Sequence, residues 1–160
     1  MTKEKLLKII HAAKVGRRTA LKLENNKITE LPPEIGDLAN LVDLDMGHNE
    51  LEYLPAEIKY LKKLKRLGLD YQKFTSFPME ICSLEKLREL YLRGNSLTEL
   101  PAEIGNMKNL IGLDLRSNKL TRLPTELGQI RSLKLLYLEG NPLLEPPMEI
   151  IKDGSEAILD

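Results

Sequence analysis

The chain has one cysteine, no tryptophan and no net charge. Cys82 has no second cysteine to pair with, so an internal disulfide is impossible, and the usual staple of a small secreted domain is missing. This favours a reducing compartment, and a cytoplasmic location is the expectation. Aromatic residues make up only 4% of the 160 positions, so a core must be built from aliphatic side chains. The 24 basic and 24 acidic residues cancel, which removes any long-range attraction to nucleic acid or to a membrane surface. No apolar run approaches the roughly 20 residues needed to span a bilayer. Near the N-terminus Lys8 interrupts the apolar residues and no small-residue cleavage site follows, so no signal peptide is expected.

Catalytic and cofactor signatures are also missing. No G-x-x-x-x-G-K-S/T occurs, so the chain has no P-loop. His11 and His48 have no Cys or His at ligand spacing, and no metal or cofactor is expected. Cys82 has no histidine predicted beside it and reads as a structural thiol. Asp43 and Asp45 are the most enzyme-like pair. Two residues apart on one strand, they would lie roughly 6–7 Å apart, near the carboxyl separation of an inverting glycosidase. Their face is predicted to be open, with Arg66 alongside and no pocket to raise one pKa, so a solvated pair is the better reading. No catalytic residue is assigned, and the chain is not expected to be an enzyme.

What is present is a repeat. From residue 18 a 23-residue pattern starts again at 41, 64, 87, 110 and 133 without insertion or deletion. Seven offsets in each copy (0, 3, 5, 10, 13, 17 and 20) are apolar in 39 of 42 instances, where composition alone would fill about 18. The exceptions, Arg18, Pro146 and Asp153, all lie in the first or last copy, as in a stack whose ends face caps rather than neighbours. Offset 8 holds Asn26, Asn49, Gln72, Asn95, Asn118 and Asn141. There the chain turns out of a strand and leaves buried backbone donors and acceptors, and an amide side chain supplies both complements. The six are expected to form a hydrogen-bonded ladder. Proline follows at offset 14 in every copy, with Glu two residues later, which suits the start of a helical turn. Each copy therefore reads as a short strand, a turn, and a brief helical or 3₁₀ return.

The run L-x-x-L-x-L-x-x-N-x-L, shown by Leu87, Leu90, Leu92, Asn95 and Leu97, resembles the leucine-rich-repeat family. The following L-P-x-E-I, as in Leu100, Pro101, Glu103 and Ile104, is similar to its 23-residue intracellular branch, which includes Ras-group repeat proteins and the arrays of bacterial Roco proteins. The resemblance covers residues 18 to about 151. It implies an α/β solenoid, a curved right-handed superhelix with a parallel β-sheet on its concave face and the returns on its convex side. It also implies a scaffold that holds a protein partner, such as a small GTPase or a signalling protein, and no catalytic activity. The expected organisation is an N-terminal capping helix over 1–17, six repeats (18–40, 41–63, 64–86, 87–109, 110–132, 133–151) and a closing segment over 152–160. A monomer is the expected state.

Within the cap, Leu6, Ile9, Ile10 and Ala13 have helical spacing. The helix is basic, yet its apolar face lacks bulky aromatics, so it is read as a cover for the first repeat rather than a membrane-surface helix. At the other end Ser155 could cap a short helix over residues 156–159, a segment similar to the one that closes the array before the GTPase domain in Roco proteins. In that reading the chain is part of a longer polypeptide; the alternative is a natural terminus.

Strand positions pointing away from the core form rows across the stack. Offset 2 supplies Ala20, Asp43, Arg66, Glu89, Gly112 and Leu135; offset 4 supplies Lys22, Asp45, Gly68, Tyr91, Asp114 and Tyr137; offset 6 supplies Glu24, Gly47, Asp70, Arg93, Arg116 and Glu139. Charge pairs are expected for Asp43, Arg66 and Glu89, for Asp70 with Arg93, and for Arg116 with Glu139. Tyrosine and arginine are enriched among residues that carry binding energy. The partner site is therefore placed in the second half of the array, on Tyr91, Arg93, Asp114, Arg116, Leu135 and Tyr137. The third copy departs from the rest, with Tyr71, Gln72, Phe74 and Phe77. Compensated packing explains it, and a local bulge that shapes a surface is the alternative.

Overall fold

The computed structural model describes residues 1–144 together with the backbone of Glu156–Ile158. Helix α1 (Lys3–Val15) comes first. Seven three-residue strands follow: β1 (Ala20–Lys22), β2 (Asp43–Asp45), β3 (Arg66–Gly68), β4 (Glu89–Tyr91), β5 (Gly112–Asp114), β6 (Leu135–Tyr137) and β7 (Glu156–Ile158). They pair in sequence order into one parallel sheet. Between the first six strands run five 3₁₀ returns: Pro33–Asp37, Ala56–Tyr60, Met79–Ser83, Ala102–Asn106 and Thr125–Gln129. This is a curved repeat solenoid, with the sheet on one side and the returns on the other.

The repeat pattern maps directly onto burial. Among the described residues, every buried apolar side chain beyond α1 other than the prolines at offset 14 occupies one of the seven repeat offsets. Leu123 and Leu143 are only partly buried, and Arg18 is exposed. The central leucines of the strands, from Leu21 to Leu136, stack in register because every copy has the same length. A burial of this kind contributes roughly 1.5–3 kcal/mol per leucine before conformational entropy is subtracted. Pro146, Pro147, Ile150 and Asp153 lie outside the described residues.

The capping helix closes one end. Thr2 accepts a hydrogen bond from the Lys5 amide, and Leu6, Ile10 and Ala13 are buried in the same core as the repeats. Ile9 packs against that core more shallowly. Lys14 reaches Asp37 of the first return at 2.9 Å, and the terminal amine of Met1 donates to the Asn26 carbonyl. The apolar stripe of this helix is thus consumed by the solenoid. Among the described residues no helix is long and apolar enough to cross a membrane.

The amides at offset 8 act on backbone rather than on one another. Asn95 Nδ2 donates to the carbonyls of Leu69 and Leu92 at 3.0 Å each, and its Oδ1 accepts from the Phe74 amide at 3.2 Å. Asn49, Asn118 and Asn141 repeat this bridge to their own copy and the preceding one. Asn26 has no earlier repeat to bridge and bonds only its own copy, at the Glu24 carbonyl. Gln72 takes the Met46 carbonyl and the Leu51 amide, while its second donor bond shifts to Asp70 at 3.3 Å. The longer side chain is accommodated without a bulge, since the strand register runs unbroken through β2, β3 and β4.

Two further features differ from the sequence-based expectation. Each described repeat proline stands just outside the 3₁₀ turn, in extended conformation, where its carbonyl accepts the amide of the offset-17 residue. Glu156–Ile158 forms a strand, not a helix: it pairs in parallel with β6, Leu135 opposite Glu156. Three or four residues gain little as an isolated helix, whereas the open edge of β6 offers a row of unpaired donors and acceptors.

The candidate binding face

The face opposite the core is built by the alternation of three-residue strands. In each of the first six strands the central leucine points inward and its two neighbours point outward, and equal repeat lengths align those neighbours into rows. The offset-2 row runs from Ala20 to Leu135, and the offset-4 row from Lys22 to Tyr137. No second layer covers these rows among the described residues.

Arg66 organises the first half of the face. Its Nη1 lies 3.0 Å from Asp43 Oδ1 and 3.4 Å from Asp45 Oδ2, and its Nε lies 3.7 Å from Glu89. The guanidinium also sits over the Tyr91 ring at 4.9 Å, while the Tyr91 hydroxyl donates to Glu89 at 2.9 Å. Burial opposes the charge of Arg66, but the Asp43 hydrogen bond and charge outweigh it and push its pKa up. Burial and the Glu89 carboxylate push Tyr91 up as well. The Asp43–Asp45 pair is therefore the counter-charge of an arginine.

The second half repeats the theme with different partners. Asp114 is only 3% exposed, and its carboxylate is gripped by Arg116 through Nη2 at 2.5 Å and Nε at 2.9 Å. Arg116, its pKa raised by that hydrogen bond, lies over the Tyr137 ring at 5.1 Å. Arg116 therefore pairs within its own repeat and not with Glu139. Asp70 likewise does not receive the Arg93 guanidinium but accepts the Arg93 backbone amide at 2.8 Å. Burial pushes the half-buried Asp70 carboxyl up; the Arg93 amide opposes this, and the carboxylates of Asp114 and Asp45 add to it.

The six residues proposed from sequence meet on this face. Tyr91, Asp114 and Tyr137 are consecutive in one row, Arg93 and Arg116 stand in the next, and Leu135, 39% exposed, ends the third. Asp114 is too buried to touch a partner and acts by holding Arg116. Among the described residues Arg93 forms no ion pair, and its Nε is buried without a hydrogen-bond partner. One residue was missed as a site candidate. Tyr71, 39% exposed, stacks on His48 with ring centroids 4.5 Å apart, and Arg93 lies 5.7 Å from its ring on the same corner. Its φ of +53° belongs to the left-handed region, as do all six residues at offset 7: Asn25, His48, Tyr71, Gly94, Ser117 and Gly140. Asn and Gly suit that conformation, so a tyrosine there goes against local preference, and that mismatch was the available signal. Gly94 leaves room for it, because a Cβ would fall 2.4 Å from the Tyr71 ring.

Elsewhere, chemistry is muted. Burial, with help from Glu103 and Glu80, pushes the Cys82 thiol up to about 11, so it is protonated at neutral pH and unreactive as a nucleophile. Among the described residues no cluster of His, Cys, Asp and Glu is arranged to hold a metal ion.

Comparison with known proteins agrees with this architecture. A family model described as a leucine-rich-repeat region matches residues 8–92, and a second, described as leucine rich repeat, matches residues 85–143. No curated protein matches. Among solved structures, a leucine-rich-repeat protein of Leptospira interrogans is 38% identical with a TM-score of 0.73, over 99% of this chain and 45% of its own. A plant peptide hormone receptor, in complex with RGF2, is 37% identical with a TM-score of 0.73, over 88% of this chain and 24% of its own. The ectodomain of the receptor kinase SOBIR1 from Arabidopsis thaliana is 29% identical with a TM-score of 0.65, over 78% and 71%. The chain spans less than half the length of the first two of these proteins. With one family model covering more than half of its length, the chain belongs to the leucine-rich-repeat family.

Proposed function

We propose that this chain is a protein-interaction module that receives its partner on the exposed face of the sheet. The observation that carries the reading is the set of three arginine-over-tyrosine stacks, Arg66 on Tyr91, Arg93 on Tyr71 and Arg116 on Tyr137, beside the exposed Leu135. Each stack presents a large, rigid surface with a polar edge, the combination that dominates energetic hot spots at protein interfaces. Salt bridges at such a surface contribute little to folding, about 0–1 kcal/mol each, so stability alone does not account for them. A similar structure, the plant peptide hormone receptor, is seen in complex with RGF2, which supports an interaction role for the fold.

The finer placement follows the repeat motif. The 23-residue L-P-x-E-I pattern supports a cytoplasmic, Ras-group or Roco-like protein, in which this array would be a non-catalytic regulatory segment and a GTPase a suitable partner. The test is capture from a lysate of the source cell by the wild type and by a Tyr91→Ala/Tyr137→Ala variant, with thermal unfolding of both proteins as the folding control. Loss of captured proteins with an unchanged unfolding midpoint supports the face as the site. Identical captured sets would overturn it, and capture by neither would favour the architectural role.

A further inference from the structure

The return side carries a second surface. Offset 18 faces the following return, and in the first, fourth and fifth copies it is glycine. A Cβ on Gly36 would come within 2.7 Å of the Glu57 carbonyl oxygen, and one on Gly105 within 2.8 Å of that of Glu126. These pairs of returns therefore pack backbone against backbone. The second and third copies carry Lys59 and Cys82 at this offset, and the third return packs less closely on both neighbours. Its entry is altered too: Pro78 has ψ of 102°, against 152°, 147°, 153° and 141° at the other four prolines.

A groove of about 250 Å³ lies between the second and third copies, on the segments that lead into their returns. Phe74 and Phe77, which replace the Leu or Ile of other copies, form its floor. Tyr53 and Met79 form its walls and are 55% and 43% exposed. Glu52 and Glu80 stand at its rim; among the described residues neither is in an ion pair, and no lysine or arginine lines the groove. Lys73, on this flank, is engaged by Glu50 at 2.6 Å and feels the Glu52 carboxylate more weakly. Glu57 and Glu103 share the offset of Glu80 in the flanking copies and extend the acidic character along the returns. The groove is open and smaller than the roughly 300–1,000 Å³ of small-molecule sites, so it suits one side chain presented by a protein. Solvent-facing aromatic and methionine walls are costly to leave bare and typical of contact surfaces. Unpaired carboxylates around them select for positive charge in the occupant.

We propose that the Tyr53–Met79 groove docks a segment of a partner protein in which one apolar side chain is flanked by lysine or arginine. The site is separate from the sheet face and does not depend on that face being used. To test it, a displayed random-peptide library is selected against the full chain, and enriched peptides are titrated against wild type and variants. Enriched peptides are expected to combine an apolar residue with adjacent lysine or arginine. Tyr53→Ala/Met79→Ala should weaken them about tenfold, the loss typical of hot-spot truncation. Glu52→Gln/Glu80→Gln should weaken them less and flatten the dependence on salt, while Tyr91→Ala/Tyr137→Ala should leave them unchanged. All of these side chains are solvent-facing or at the rim, and matching thermal midpoints verify that each variant is folded. Failure to enrich any peptide, enrichment without basic residues, or affinity lost only with the Tyr91/Tyr137 variant would overturn the proposal. So would concentration-dependent self-association in sedimentation that the Tyr53/Met79 variant abolishes, which would give the groove to a second copy of the chain.

Discussion

The third and fourth repeats are neighbours on one 23-residue frame, yet they meet the same demands with different side chains. At the corner, Asn95 bridges two repeats through its amide, whereas Gln72 reaches the preceding repeat and bonds its own copy only at 3.3 Å. In the core the fourth repeat uses Leu97 and Leu100 where the third uses Phe74 and Phe77, all of them buried. On the return, Gly105 lets the following turn approach, and Cys82 holds it off. The comparison teaches that the frame is carried by the strand and the amide corner, where backbone bonds must be met. The return tolerates variation, and variation there becomes surface shape.

The corner is where the comparison breaks most readily. Asn95→Ala strips partners from the buried Phe74 amide and the Leu69 and Leu92 carbonyls, and should cost about 3 kcal/mol. Gln72→Ala removes a weaker set and should cost about 2 kcal/mol. Urea unfolding of the two variants checks the order, and an equal loss would mean that the two corners are equivalent. Next in size is the return. Gly105→Ala forces a methyl group against the Glu126 backbone and should cost about 2 kcal/mol, while Cys82→Ala should cost less than about 1 kcal/mol. If both changes were tolerated equally, offset 18 would not set the spacing of the returns.

The smallest effect concerns offset 6, where the third repeat holds the half-buried Asp70 and the fourth holds Arg93. Burial raises the folded-state pKa of Asp70 above its ordinary value. As pH rises through the ordinary carboxylate range, the unfolded state releases its proton first, so ionisation of Asp70 works against folding. Asp70→Asn, which keeps an acceptor for the Arg93 amide, should therefore be slightly more stable than wild type at neutral pH. That advantage should vanish in acid, below the ordinary carboxylate range, where both states are protonated. Unfolding midpoints measured across pH would show it, and a pH-independent difference would remove the titration from the account.

Much of this was legible because the pattern is local and repeated. Leucine spacing from Leu21 to Leu138 predicts which side chains are buried, and equal copy lengths predict which outward residues become neighbours. The rows that hold Tyr91, Asp114 and Tyr137 follow from counting alone. The partners within those rows did not follow. Arg116 chooses Asp114 over Glu139, and Arg93 pairs with no carboxylate among the described residues, because a long side chain settles on whichever acceptor its rotamers and neighbours allow. The left-handed corner at Tyr71 was half visible in the asparagine and glycines at the same offset.

The sequence by itself determined the solenoid, its register, its aliphatic core and the amide corner, since each depends on residues a fixed distance apart in a repeating chain. Only the tertiary structure decided how Glu156–Ile158 pairs, which carboxylate each arginine takes, and where the third return stands away from its neighbours. Those outcomes turn on competition between groups brought together by folding: an open strand edge against a marginal helix, one acceptor against another, and a side chain against the backbone of the next repeat.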